Sequence, residues 1–203
     1  MVPSPVRQRK IGLTGGIASG KTTVAEHLAT VHGLPILDAD CYARLAVEPG
    51  GGIWQRILDR YGAEILLPEP APAPLDRARL GTIVFGDVAE RRWLEAQIHP
   101  DVAGQFDRAI AALPQAPILI LVIPLLFEAN LTHRVTETWV VNCTAEQQRQ
   151  RLIARNGLSP AEADARIAAQ MPLAEKCDRA DVVLDNSHSR ADLLRQVDQQ
   201  LCP

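Results

Sequence analysis

Residues 11–23 read IGLTGGIASGKTT, and this stretch decides the fold. Ile11 and Leu13 close a short apolar run, and Gly15-Gly16-Ile17-Ala18-Ser19-Gly20-Lys21-Thr22 then matches G-x-x-x-x-G-K-[ST] at every fixed position. Thr23-Val24-Ala25-Glu26-His27-Leu28-Ala29 follows with a helical pattern. At average residue frequencies the fixed positions are met by chance in roughly 1% of chains of this length, and a strand before and a helix after make the match meaningful. In such a loop the backbone N–H groups of residues 15–20 and the start of the helix at Thr22 and Thr23 converge on the β- and γ-phosphates of a nucleotide. Lys21 neutralises the β/γ oxygens, and the Thr22 hydroxyl coordinates Mg²⁺.

Outward from the loop, strand-like and helix-like segments alternate, which predicts an α/β fold with a parallel sheet. KIGLTG, LPILDAD, PILILVIP, TWVVNC and ADVVLDN are five predicted strands. Residues 118–123 are continuously apolar, as in a central strand covered on both faces. Between the second and third strands lie helical stripes: Ile53, Trp54, Ile57, Leu58 and Tyr61; Trp93, Leu94 and Ile98; Val102, Phe106, Ile110 and Leu113. They predict a helical insertion, with His99-Pro100 at the junction of two helices. Pro68, Pro70, Pro72 and Pro74 at alternate positions favour an extended surface loop with no chemistry. Thr144 with Gln147, Ser159 with Glu162 and Ser189 with Asp192 have capping-box spacing, predicting helices near 145–156, 160–170 and 190–201. The middle one reads as part of a mobile flap.

The 203-residue chain has room for one domain with an inserted sub-domain. A net charge of −3 gives no broad attraction to a phosphate backbone, so no nucleic-acid partner is expected. The longest apolar run, ILILVIPLLF, is about half the ~20 residues of a membrane span, so no membrane association is expected. Cys41, Cys143, Cys177 and Cys202 lack metal-binding spacing and read as reduced thiols of a cytoplasmic protein.

Several side chains beyond the loop carry candidate chemistry. The second predicted strand ends in Leu37-Asp38-Ala39-Asp40, and alternation sends Asp38 and Asp40 to one side at the carboxyl ends of the strands, where ligands of open parallel sheets bind. There a carboxylate accepts the proton of an attacking hydroxyl or helps to hold the metal; the alternative is that one of the two only caps the next helix. Arg44, one turn beyond Asp40, is placed to grip an acceptor phosphate. Arg151 and Arg155 share a helix face, and spacing alone fits a solvated face better than a clamp on transferring phosphate. His99 is more in keeping with a cap or a packed side chain than with a ligand contact, and Glu128 in PLLFE fits a buried salt bridge and an acceptor contact equally.

With these residues in hand, the chain resembles the dephospho-coenzyme A kinase family over nearly its full length. The matching stretches are IGLTGGIASGKTTVA, LDADCYAR, LDRARL, LEAQIHP, VIPLLFE, RNGLSPAEADARIAAQ and KCDRADVVLDN. The resemblance implies a P-loop NTPase fold of the nucleoside monophosphate kinase type: a five-stranded parallel sheet flanked by helices, a helical substrate-binding insertion and a small lid. Residues 9–45, 115–150 and 178–203 would form the nucleotide-binding core, 46–114 the insertion and 151–177 the lid of one domain spanning 1–203. It also implies transfer of the ATP γ-phosphate to the ribose 3′-hydroxyl of dephospho-CoA, in a monomer or weak homo-oligomer. Asp40 matches the family's base and, with Thr22, the metal site; Asp38, Arg44, His99, Pro124, Leu125, Leu126 and Glu128 match positions around the CoA-like substrate. Arg151 and Arg155 match the ATP-side lid arginines, and Lys176, Asp181 and Asn186 match the last family segment, with Asn186 expected near the adenine.

Two departures stand out. Ala18 replaces a glycine usual in the family loop, and if the position requires positive φ it costs about 1 kcal/mol or more. The proline-rich stretch replaces a short acidic-glycine turn before LDR. Another P-loop small-molecule or nucleoside monophosphate kinase is the alternative enzyme. A guanine-nucleotide switch is disfavoured because none of Asn130, Asn142, Asn156 and Asn186 begins an N-K-x-D segment.

Overall fold

The computed structural model describes residues 8–68 and 72–201, so Pro70 and Cys202 lie outside the described residues. Along the chain run β1 (Arg9–Gly15), α1 (Lys21–Thr30), β2 (Ile36–Asp38), α2 (Ala39–Ala46), α3 (Gly52–Tyr61), α4 (Arg77–Gly86) and α5 (Val88–Ala111). They are followed by β3 (Ile118–Val122), β4 (Glu137–Asn142), α6 (Ala145–Asn156), α7 (Pro160–Ala168), α8 (Leu173–Asp178), β5 (Val182–Asp185) and α9 (Arg190–Leu201). The chain divides into two compact units, one of residues 1–38 and 113–203 and the other of residues 39–112.

The first unit is a five-stranded parallel sheet in the order β2-β3-β1-β4-β5. β1 pairs with β3 and β4, so the strand that feeds the glycine-rich loop is the central one, held on both edges. Its register fixes the loop: Gly15 lies opposite Val141 of β4. Ile11, Leu13, Ile120, Val122, Trp139 and Val141 are buried in one core with Val24 and Leu28 of α1 and Leu193, Val197 and Leu201 of α9. The four-residue spacing of the α9 positions is the stripe a helix needs to lie on a sheet.

All three capping boxes are formed. Thr144 with Gln147 starts α6, and Ser159 with Glu162, followed by Pro160 in the first turn, starts α7. Ser189 Oγ accepts from the Asp192 N–H at 3.1 Å while the Asp192 carboxylate accepts from the Ser189 N–H at 3.2 Å, before α9. No disulfide joins cysteines among the described residues, and burial pushes the Cys143 and Cys177 thiols up, which keeps them protonated. No helix among the described residues is long and apolar enough to cross a membrane.

The second unit has its own core of Val47, Ile53, Trp54, Ile57, Ile65, Leu75 and Leu80, with Trp93, Leu94 and Ile98 packed against it. Arg60 of α3 donates to both oxygens of Glu90 at 2.6 and 2.7 Å and lies 4.6 Å over the Trp93 ring, tying α3 to α5. The flanks of the proline-rich stretch are pinned by the Leu67 N–H donating to Pro74 O at 2.9 Å and by an antiparallel bridge between Leu66 and Leu75. His99-Pro100 does not join two helices, contrary to the sequence expectation: both residues lie within the continuous α5, which carries Pro100 inside it.

Leu121 is fully buried on β3, between β2 and β1. Leu121→Ala is expected to cost about 2–5 kcal/mol, from lost apolar burial and the cavity left behind, read as a lower urea midpoint at unchanged slope.

Candidate active site

β1 ends at Gly15, and the chain turns through residues 16–20 into α1, whose N-cap is Gly20 in the left-handed region at φ 111°. A Cβ on Gly15 would stand 2.6 Å from the Val141 carbonyl oxygen, and one on Gly20 would overlap the Asn186 amide, so both positions require glycine for space as well as for φ. Ala18 has φ 58°, the left-handed conformation that an L side chain resists. The loop therefore keeps the glycine-type backbone at position 18 without the glycine.

Three neutral amides hold the loop. Gln148 of α6 donates to Ile17 O at 2.8 Å, Gln170 beyond α7 accepts from the Ile17 N–H at 2.8 Å, and Asn186 after β5 donates to Ser19 O at 2.7 Å. Lys21 Nζ donates to Gly15 O at 3.1 Å and Gly16 O at 2.8 Å, which keeps its ammonium at the mouth of the loop. Arg151 joins the network through Asn186, whose carbonyl oxygen accepts from its Nη2 at 3.1 Å. Arg151 Nη1 and Ser19 Oγ are buried without a hydrogen-bonding partner. A buried guanidinium edge beside a glycine-rich loop and a lysine suits phosphate oxygens, which guanidinium binds with charge-assisted hydrogen bonds. Arg155 is exposed, and its Nε donates to Asn156 Oδ1 at 2.9 Å. The two arginines of the shared face thus differ: only Arg151 is built into the loop network. Thr22 is exposed at the start of α1, and Thr23 is partly buried.

The segment after β3 forms a second buried polar group. Pro124 O accepts from Thr14 Oγ1 at 3.1 Å and from Lys176 Nζ at 3.0 Å. Lys176 is fully buried and pairs with Glu128 Oε1 at 2.8 Å, and the same oxygen accepts from the Met171 N–H at 3.1 Å. Of the two roles the sequence left open for Glu128, the structure displays the salt bridge, while Glu128 Oε2 is buried without a partner. Leu126 is fully buried against Gly12, and Leu125 is 41% exposed, so Leu125 presents its side chain to solvent. Asn186 is a buried brace under the loop.

In the second unit, Asp40 and Arg44 border a cavity of about 270 Å³ whose wall also includes Arg77, Val47, Leu75 and Leu80. Asp40 is not a strand residue: β2 stops at Asp38, and Asp40 lies in the first turn of α2. Strand alternation therefore does not relate Asp38 to Asp40. An acid in the first helical turn is favoured by the positive end of the helix, and this local preference ends the strand early. The i, i+4 relation of Asp40 to Arg44 holds within α2. His99 is exposed on α5 and is not in the cavity wall.

Comparison with known proteins decides among phosphate-loop folds. A family model of dephospho-CoA kinases matches residues 9–192. A Synechocystis protein named dephospho-CoA kinase is 57% identical over 197 residues, covering 97% of this chain and 96% of that one. The chain belongs to the dephospho-CoA kinase family. A solved structure from Thermus thermophilus is 39% identical with a TM-score of 0.80, covering 96% of each chain. The dephospho-CoA kinase of Campylobacter jejuni is 26% identical with a TM-score of 0.70, covering 95% of this chain and 94% of that one. The fold is that of P-loop NTPase kinases.

Sequence reading assigned no role to Gln148 or to Gln170, the last residue of the RNGLSPAEADARIAAQ stretch, because neither side chain carries charge. The available signal was spacing: Gln148 lies four positions before Leu152 and shares its buried face of α6. Ala18→Gly removes the left-handed penalty of about 1–2 kcal/mol while giving back about 0.4–1 kcal/mol of unfolded-chain entropy. The expected outcome is a net gain of up to about 1 kcal/mol, or a melting temperature about 2–4 °C higher, with no loss of nucleotide affinity.

Proposed function

We propose that this chain transfers the γ-phosphoryl group of ATP to the ribose 3′-hydroxyl of dephospho-CoA, giving coenzyme A and ADP. The family match over residues 9–192 carries the reading, in a chain whose loop keeps Lys21 and Thr22. Residues 9–45, 115–150 and 178–203 serve as the nucleotide-binding core, 46–114 as the acceptor-binding insertion and 151–177 as the lid of a single domain.

In this mechanism the loop N–H groups of residues 15–20 and the N-terminal turn at Thr22 and Thr23 hold the phosphates, and Lys21 moves from its loop carbonyls onto the β/γ oxygens. Arg151, with its buried Nη1, stabilises the charge that spreads over the equatorial oxygens, and Arg155 adds to it from the lid. Thr22 and, by the family resemblance, Asp40 would be the residues to hold Mg²⁺, which would supply charge neutralisation for phosphoryl transfer. Asp40 accepts the proton of the attacking hydroxyl. The cavity beside Asp40 supplies Arg44 for acceptor phosphate and an apolar wall for the acceptor body. Asp38, His99, Pro124, Leu125 and Glu128 are assigned acceptor contacts by the family resemblance alone, and Leu126, fully buried, offers no side chain to a ligand. Asn186 braces the loop at Ser19 O, and the family resemblance sets it near the adenine. The enzyme works in the cytoplasm as a monomer or weak homo-oligomer.

An ADP-release assay with Mg²⁺, comparing dephospho-CoA with AMP, adenosine, shikimate and no acceptor, tests the reading. Turnover that needs dephospho-CoA and yields CoA by mass is the expected result; turnover only with another acceptor overturns it. Asp40→Asn is expected to abolish that turnover while ATP affinity stays within about threefold. Loss of nucleotide affinity in this variant would move Asp40 into the nucleotide site instead.

A further inference from the structure

Away from the phosphate loop, three side chains of the first unit converge. His27 of α1 and His32 in the turn after it both direct Nε2 at one oxygen of Asp198 on α9, at 2.6 and 2.7 Å. These two ring nitrogens and the carboxylate oxygen all lie within 4.8 Å of one another. The imidazoles meet edge to face, with centroids 5.3 Å apart and an interplanar angle of 78°. We propose that His27, His32 and Asp198 bind a divalent transition metal ion of the Zn²⁺ class.

The arrangement has the features such an ion requires. Zn²⁺ and its neighbours favour imidazole nitrogen with a carboxylate, whereas Mg²⁺ favours oxygen and keeps its water shell, so the donor set selects against the ion used in phosphoryl transfer. His27 and His32 side chains are 11% and 23% exposed, which holds both rings near their binding positions before any ion arrives. Asp198 is 47% exposed, so its carboxylate can withdraw from between the ring nitrogens to become a ligand, and water can complete a tetrahedral site. A carboxylate serving only to orient one imidazole needs one such partner; two imidazoles brought to the same oxygen from positions 171 and 166 residues away mark a common point of aim. Ligation ties the helix that begins at Lys21 to the last helix of the chain.

Titration of the full chain with Zn²⁺ against a competing chelator, in millimolar Mg²⁺, tests the site without using activity. One ion per chain is expected, with affinity reduced at least tenfold in His32→Gln and in Asp198→Asn. Asp198→Asn keeps an acceptor for both imidazoles, so it retains the packing and decides the question if His32→Gln fails to fold. Absence of one-per-chain binding, or affinity within threefold of the parent in a folded variant, overturns the proposal.

Discussion

The orientation of the peptide planes between Gly15 and Gly20 is the constraint on which the rest of this molecule depends. The Ile17 and Ser19 carbonyls are taken by the amides of Gln148 and Asn186. In a trans peptide the next N–H points opposite to the carbonyl, so the Ala18 and Gly20 N–H groups are turned away from those amides. Two side-chain hydrogen bonds thereby fix two peptide planes of the loop, and phosphate binding by successive N–H groups depends on such control. Gly15 and Gly20 allow the close approach, β4 and the residue after β5 supply the surface approached, and burial of β1 between two strands fixes its position. The Ile17 N–H donates to Gln170 Oε1, a neutral oxygen acceptor of the kind a phosphate would replace by a charged one.

What was legible in the sequence was local. The glycine-rich loop, the apolar run of β3 and the three capping boxes each concern residues within a few positions of one another, and each forms. The strand reading that placed Asp38 and Asp40 together was an error of boundary: the helix signal beginning at Ala39 outweighs continuation of a strand only three residues long. The helix break expected at Pro100 was an error of magnitude. A proline inside a helix costs about 3 kcal/mol in lost hydrogen bonding and steric clash. Trp93, Leu94 and Ile98 before it pack on the second core, and Phe106 after it is buried against Tyr42, so tertiary burial on both sides outweighs that cost.

The partners of the loop's braces were illegible for a different reason. Gln148, Gln170 and Asn186 reach partners 131, 153 and 167 residues away, and no periodicity records such a pairing. Lys176 is similar: the family resemblance marked its position without a partner, and it is fully buried because Glu128 and Pro124 O receive its ammonium. Buried charge is costly unless paired, so Lys176 and Glu128 depend on each other.

The contacts that hold the proposed lid are of unequal strength. The Arg149–Asp164 pair between α6 and α7 has side chains 37% and 56% exposed, a setting in which ion pairs contribute about 0–1 kcal/mol. The Gln170–Ile17 hydrogen bond adds about 0.5–1.5 kcal/mol. Beyond it, separating Lys176 from Glu128 would leave a charge buried and unpaired, at about 3–5 kcal/mol. Gly157, in the left-handed C-cap of α6 at φ 64°, is a backbone joint at the other end. Within the lid proposed above, residues 151–177, the weakest ties therefore lie around α7, between Gly157 and Met171. α8 stays with the sheet, held by Lys176. Opening of the proposed lid there would release Gln170 from Ile17, and one hydrogen bond would then couple lid position to a donor of the phosphate loop.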